Sequence, residues 1–278
     1  MTLHRPDTLD AVLALLANRG RVILAGGTDV YPGLRDAPPP ALMIDVSGVA
    51  GMRGITRAGS DWRIGAATTW TDVIRAKLPP LFDGLKQAAR EVGSVQIQNT
   101  GTVAGNLCNA SPAADGIPAL MALDAEVELT GLQGVRRVPL TGFIQGIRKV
   151  DLATDELMTA ILVPDAPGCG AFRKLGARRY LVISIAMVGA VVQTDGGRIL
   201  RARVAVGSCS PVARRLADLE AALAGASVSD VSGIVDDAVL GELTPIDDVR
   251  ASAAYRMDAV RTLVRRTLLD TVENSDVA

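Results

Sequence analysis

Apolar residues recur along this chain in two rhythms, and the rhythm switches mark the elements. Over 7–19, DTLDAVLALLANR, a capping Asp or Thr precedes Leu9, Val12, Leu13, Leu15 and Leu16 on one broad face, which predicts a helix ended by Gly20. RVILA (21–25) then reads as a short buried strand that runs directly into Gly26-Gly27-Thr28-Asp29. ALMIDV (41–46) is a further strand, and MRGITRAG with DWRIGAA predicts a hairpin turning near Gly59-Ser60-Asp61. A helix over 72–77, capped by Thr71 or Thr69, and another over 81–92 after Pro79-Pro80 follow.

The stretch 94–116, SVQIQNTGTVAGNLCNASPAADG, is rich in Gly, Asn, Ser and Thr and nearly free of charge. A solvated loop usually carries Lys or Glu, whereas a loop folded onto a ligand satisfies itself with amides and hydroxyls, so this segment is read as a binding loop. IPALMALDA resumes helical spacing, strands are expected near VELT and RRVPL, and a variable stretch runs to Asp155. From Gly168 a second unit begins. AFRKLGARR leads into an apolar strand over 181–192, Asp195-Gly196-Gly197 turns a hairpin, and ILRARVAVGSC (199–209) alternates as its partner. Helices are expected from Pro211 to Ala224, over 230–241 and over 251–273. Strands followed by helices predict an α+β second domain, and the division is expected at 1–166 and 167–278.

Composition narrows the function. With 49% hydrophobic and 21% charged residues, the chain has the balance of a folded protein. The longest uncharged run, Tyr180 to Thr194, is broken by Ser184, Gly189 and Gln193 and falls short of the roughly 20 apolar residues of a spanning helix. No secretory pattern opens the chain, and Cys108, Cys169 and Cys209 are odd in number and far apart, so a cytoplasmic protein with reduced thiols is expected. A net charge of −1 and 3% aromatics argue against nucleic acid and anionic membrane as partners. His4 is the single histidine, and the cysteines have no CxxC spacing, which weighs against histidine catalysis and against a resident metal centre. No phosphate loop or dinucleotide fingerprint of the usual spacing occurs. Any chemistry has to come from a bound organic cofactor.

Two constellations are candidates for holding one. Ala25-Gly26-Gly27-Thr28-Asp29 ends a buried strand, where glycines let backbone amides approach a phosphate; the alternative is a plain tight turn. Thr102-Val103-Ala104-Gly105-Asn106, continuing to Asn109, Ser111 and Asp115, combines small residues with neutral donors and acceptors suited to pyrophosphate and ribitol oxygens. Asp115 can accept from a sugar hydroxyl or cap the helix that starts near Ile117. Lys174 is either an exposed basic residue or a cation for a phosphate or flavin ring. Tyr180, Trp62 and Trp70 are ring-stacking candidates or core aromatics.

ILAGGTD (23–29) and NTGTVAGNLCNASPAAD (99–115), in that order and about 75 residues apart, resemble the FAD subunits of molybdenum hydroxylases, the family of xanthine dehydrogenase flavin subunits and carbon monoxide dehydrogenase medium subunits. WRIGAATTWTDV, DELMTAILVP, FRKLGARR and SAAYRMDAVRTLVRRTL also look like family segments, so the resemblance covers nearly the whole chain. It implies a vanillyl-alcohol-oxidase-type (PCMH-type) FAD-binding domain of two lobes, then a small α+β domain like the CO dehydrogenase flavoprotein C-terminal domain. It further implies that Val22, Ile23, Leu24, Ala25, Gly26, Gly27, Thr28 and Asp29, with Thr102, Val103, Ala104, Gly105 and Asn106, line FAD, that Ser111 and Asp115 hold polar atoms, that the Leu157 backbone lies near the flavin, and that Lys174 contacts it.

Family members often carry Gly-Gly where this chain has Ala104-Gly105. Because a left-handed alanine costs roughly 1–2 kcal/mol, position 104 is expected to keep φ < 0 and Gly105 to make the turn. The benzoyl-CoA-type cysteine cluster and the fused domains of the animal enzymes are missing. The redox partners implied are therefore separate chains: an iron-sulfur small subunit with 2Fe-2S clusters and a molybdopterin large subunit, in a dimer of heterotrimers passing electrons through FAD to NAD+ or another acceptor. A self-sufficient flavin oxidase or reductase, and a nonredox nucleotide-binding module, are the competing readings. No catalytic acid or base is assigned.

Overall fold

A computed structural model describes residues 2–17 and 20–275, and in it the chain builds three successive sheets and a two-stranded ribbon. The first is small and parallel. β1 (Thr2–His4), α1 (Leu9–Leu16), β2 (Arg21–Leu24), α2 (Val30–Leu34) and β3 (Leu42–Asp45) alternate strand and helix, with strand order β1-β3-β2. Thr8 caps α1 by accepting the Ala11 amide, and Val12, Leu13 and Leu16 form its buried stripe. Asn18 and Arg19, at the end of the helix expected over 7–19, lie outside the described residues.

The second lobe runs β4 (Ile55–Ala58), β5 (Asp61–Gly65), α3 (Trp70–Arg75), α4 (Asp83–Glu91), α5 (Val95–Thr100), α6 (Val103–Asn109), α7 (Gly116–Ala122), β6 (Glu126–Gly131), β7 (Gly134–Pro139), α8 (Leu140–Phe143), a β8 (Ile144–Gly146) and β9 (Lys149–Val150) ribbon, and β10 (Leu157–Pro164). Its main sheet has five antiparallel strands in the order β4-β5-β10-β6-β7, so the last strand in sequence is the central one. Leu157 to Val163 are all buried there. The pattern reading passes over this strand, because a continuous apolar run without alternation is what burial on both faces produces. Of the two candidate caps on α3, Thr69 is the one used, in a capping box with Asp72.

The segment 94–116, expected as a loop, folds instead as α5, α6 and a turn. Ser94 accepts the Ile97 amide and Thr102 accepts the Gly105 amide at 3.0 Å, so each short helix starts at a hydroxyl. The absence of charge reflects burial of Val103, Ala104 and Leu107 in the core.

The third sheet is β11 (Cys169–Leu175), β12 (Ala186–Asp195), β13 (Arg198–Gly207) and β14 (Arg214–Arg215), antiparallel in that order. α9 (Ala217–Leu223), α10 (Val231–Asp237) and α11 (Ala253–Ser275) complete the chain. β12 is apolar on both sides because Val188, Ala190 and Val192 join the cluster of Leu219, Val235 and Val264, while Met187 and Val191 join the cluster that holds Leu85 and Leu120. Gly189 marks the closest approach of α7, since a Cβ there would sit 2.8 Å from backbone atoms of Pro118 and Ala119.

Two boundaries differ most from expectation, and the helix expected over 230–241 ends early, at Asp237. The strand placed over 181–192 begins at Ala186, because the ladder with β11 closes at Leu175 and Ala186; residues 176–185 form a connection on which Tyr180, Leu181 and Ile183 are exposed. The helix expected at Pro211 begins at Ala217, because Arg214 and Arg215 pair with β13 first. Among the described residues no helix is long and apolar enough to cross a membrane.

Candidate functional site

The end of β2 and the helices α5 and α6 enclose a cavity of ≈ 350 Å³, a size typical of small-molecule sites. Both glycine segments supply its wall: Ile23 and Ala25 to Asp29 from the first, Thr102 and Ala104 to Asn106 from the second. Gly26 packs so tightly that a Cβ would collide with the Thr100 carbonyl, and Gly27 takes φ +70°. The amides of Gly26, Gly27 and Thr28 donate to no acceptor among the described residues, which leaves consecutive N–H groups of the kind that hold anions. Asn106 Oδ1, buried in the same wall, also has no hydrogen-bond partner among the described residues. Buried acceptors of this kind are nearly always completed by a protein group, a water or a ligand.

Gly105 does not make the turn expected of it. Ala104 and Gly105 are both helical, and the glycine instead leaves room for its Thr102 cap, whose Oγ1 lies 2.8 Å from where a Cβ would stand. The left-handed residue comes later, at Ala110, φ 44°. Apart from Asn109 and Glu156, the rest of the wall is largely apolar, with Met52, Trp70, Ile97, Leu152, Leu157 and Met158 prominent. Trp70 is therefore a core aromatic and a wall residue at once, only 1% exposed. Met52 and Leu152 carry no motif, so the sequence gives no signal for them. Burial pushes the Cys108 thiol, in the same wall, up to about 12.

Six of the residues expected to line the cofactor fall outside this cavity. Val22 and Leu24 alternate away from Ile23 along β2, and Val103 points into the core. Ser111 lines a second cavity of ≈ 390 Å³, together with Arg148, Ser184, Ser208 and Arg256. Asp115 and Lys174 form a buried ion pair at 2.7 Å, their side chains 8% and 6% exposed. Asp115 makes no cap to α7; its second oxygen accepts from Ser184 at 2.6 Å. Burial raises the Asp115 carboxyl, and the Lys174 charge and its hydrogen bond oppose that rise. Lys174 is thus neither an exposed lysine nor part of the first cavity's wall. Trp62 donates to Asp165 at 2.8 Å and stacks edge-on to Phe82, while Tyr180 is exposed.

Two residues that line the second cavity, Arg148 and Ser208, have left-handed backbones, as does Ala110, the neighbour of Ser111 in its wall. For residues other than glycine each costs roughly 1–2 kcal/mol, and such strain gathers at functional sites. The strained turns are tied together, Arg148 N–H to Ala110 O and Ser208 N–H to Pro112 O, both at 3.0 Å. Among the described residues no group of three or more His, Cys, Asp or Glu is placed to hold a metal ion.

Two glycine segments converging on one anion-ready cavity, ahead of a helix-covered antiparallel sheet, define a class of flavoprotein, and comparison with known families identifies it. Residues 1–166 match the family described as the FAD binding domain in molybdopterin dehydrogenase, and residues 171–271 match the CO dehydrogenase flavoprotein C-terminal domain. The chain belongs to the FAD-binding subunits of the molybdenum hydroxylase family. It is 32% identical to the xanthine dehydrogenase FAD-binding subunit of Escherichia coli O157:H7, over 97% of this chain and 95% of that one. It is 31% identical to the carbon monoxide dehydrogenase medium chain of Hydrogenophaga pseudoflava, over 95% and 94%. The solved structure of carbon monoxide dehydrogenase from Hydrogenophaga pseudoflava lacking the Mo-pyranopterin moiety of its molybdenum cofactor superposes with a TM-score of 0.88, covering 98% of this chain and 97% of that one at 29% identity.

The residues present fit FAD. Unused amides at Gly26 to Thr28 suit a phosphate, the orphaned Asn106 acceptor suits a hydroxyl or amine, and the apolar wall suits a flat heterocycle.

Proposed function

We propose that this chain is the electron-transfer subunit of a molybdenum hydroxylase, holding FAD extended from the first cavity toward the second. The observation that carries the reading is the convergence of the two glycine segments on one wall with unused donors and an unused acceptor. FAD, when bound, supplies two-electron and one-electron redox chemistry to such a complex. In this reading Ala25 to Thr28 and Thr102 to Asn106 bind its phosphates, Asn106 fixes a polar edge, and Met52, Ile97, Leu152 and Leu157 exclude water. Ser111, Asp115 and Lys174, beside the second cavity, orient the redox-active end.

The proposal extends to separate iron-sulfur and molybdopterin subunits in a dimer of heterotrimers, to NAD+ or another acceptor, and to a cytoplasmic location. The curated relatives named as medium chains or complex subunits support the partner subunits, and three unpaired cysteines suit a reducing compartment. A domain division at 166 and 167 belongs to the same reading, since β10 ends at Pro164 and β11 begins at Cys169.

Purification tests it. The chain, isolated or after incubation with FAD, is expected to show a flavin spectrum at one FAD per chain, and to be reduced by substrate only with its partner subunits present. A folded protein that retains no flavin sinks the reading, and turnover by the chain alone makes it a self-sufficient oxidoreductase. Anaerobic mixing of the reduced complex with NAD+ tests the acceptor; unchanged flavin absorbance excludes NAD+.

A further inference from the structure

Between the two cavities stands a small polar partition. Asp29 and Asn109 line the first cavity, and Arg148, from the turn between β8 and β9, lines the second. Asn109 gives its side-chain N–H to Asp29 at 2.7 Å. Its side-chain oxygen accepts from the Arg148 guanidinium, which also reaches the Asn109 carbonyl at 3.4 Å. Arg148 and Asp29 themselves lie 3.9 Å apart, with side chains 56% and 57% exposed.

The charges around this partition are unbalanced for the ligand that the cavities fit. Asp29 and Glu156 are the charged residues in the first wall, and both are acidic. In the second wall, Arg250 and Arg256 are bonded to Asp248 at 2.9 and 2.7 Å. Lys174 is held by Asp115. A pyrophosphate seated on the amides after β2 would stand close to Asp29 with no cation in the same wall. Arg148 is the cation whose existing ion pair is long, exposed and readily exchanged. Its planar fork matches phosphate oxygens, and its left-handed backbone, anchored to Ala110 O, presents the head from a fixed turn.

We infer that Arg148 is a cofactor-binding residue that reaches the phosphate bridge of the bound dinucleotide, with Asn109 and Asp29 as its resting partners. The inference rests on the FAD reading above. Nothing in the glycine motifs signals it, because Arg148 lies about 40 residues downstream of the second motif and is brought back by the β8–β9 turn.

The test is titration of the flavin-free chain with FAD and with ADP at low and high salt, comparing wild type with Arg148→Ala and Arg148→Lys. Arg148→Ala is expected to weaken both ligands by roughly tenfold to a hundredfold, the range for a hydrogen bond to a charged group. It should also flatten the salt dependence of binding, because a screened charge contact is lost, and Arg148→Lys should restore part of each. Unchanged affinity, or a loss of the same size at both salt concentrations, overturns the inference. Thermal melts separate misfolding from lost contact, and a misfolded Arg148→Ala leaves the decision to Arg148→Lys against Arg148→Gln. Failure of the folded wild-type chain to bind FAD at all would instead overturn the proposed function.

Discussion

Lys174 and Asp115 are a buried pair in which each holds the other's charge, with Ser184 completing the carboxylate. Breaking such a pair on one side leaves an uncompensated charge and costs about 3–5 kcal/mol. Lys174→Met is expected to lower the urea-unfolding free energy by about that amount. The Asp115 carboxyl is already raised by burial and rises further without the lysine. A carboxyl raised in the folded state takes up protons on folding, so its penalty grows as pH rises through the folded value and shrinks in acid. The Lys174→Met deficit should therefore narrow as pH is lowered; a pH-independent deficit would assign it to packing.

Asp248 behaves oppositely. The Arg250 amide above all, with Arg256, the Ala251 amide and the Arg250 side chain, holds its carboxyl at about 2, below the ordinary 3.8. Its stabilisation is present above 3.8 and is lost as pH falls toward about 2. Melting temperatures of wild type and Asp248→Asn should differ at neutral pH and converge near that lower limit. At this scale the sequence pointed to the glycines, Thr102 and Asn106 that line the first cavity, because their chemistry is local. It did not place Lys174, since an ion pair 59 residues apart in sequence leaves no local signature.

The junction of β2 with α5 is the element on which the first cavity depends. Gly26→Ala drives a Cβ into the Thr100 carbonyl, backbone against backbone, so one element has to shift. Overpacking of this kind costs about 1–3 kcal/mol, and the expected result is a lower unfolding midpoint together with lost FAD retention. Retention at wild-type level would show that the strand end can move without reshaping the site. The strand and turn here were legible because a buried strand followed by Gly-Gly is a local pattern. The helices α5 and α6 were hidden by their polar composition, although Ser94 and Thr102 stand at cap positions.

For the molecule as a whole, α7 is the shared element. It begins beside the second cavity at Asp115, packs on α4, and presses Pro118 and Ala119 against Gly189 at the centre of the third sheet. Just beyond it, Asp124 takes ion pairs from Arg201, Arg203 and Arg215, with Arg203 almost completely buried. Regions fastened this closely are expected to unfold together, so calorimetry should give one transition for residues 1–278 rather than two. Two resolved transitions would mean that the α7 interface is weaker than its packing implies.

By itself the sequence determined the α+β class, the two glycine segments and the membership that their order signals, because strand periodicity, helix caps and glycine's conformational range are properties of neighbouring residues. Only the tertiary structure decided that β10 lies at the centre of its sheet, that Asp115 pairs with Lys174 and Ser184, and that Ser111 faces a second cavity rather than the first. Those outcomes depend on which distant segments the folded chain brings into contact, and burial and charge pairing across such distances are settled only once the sheets have packed.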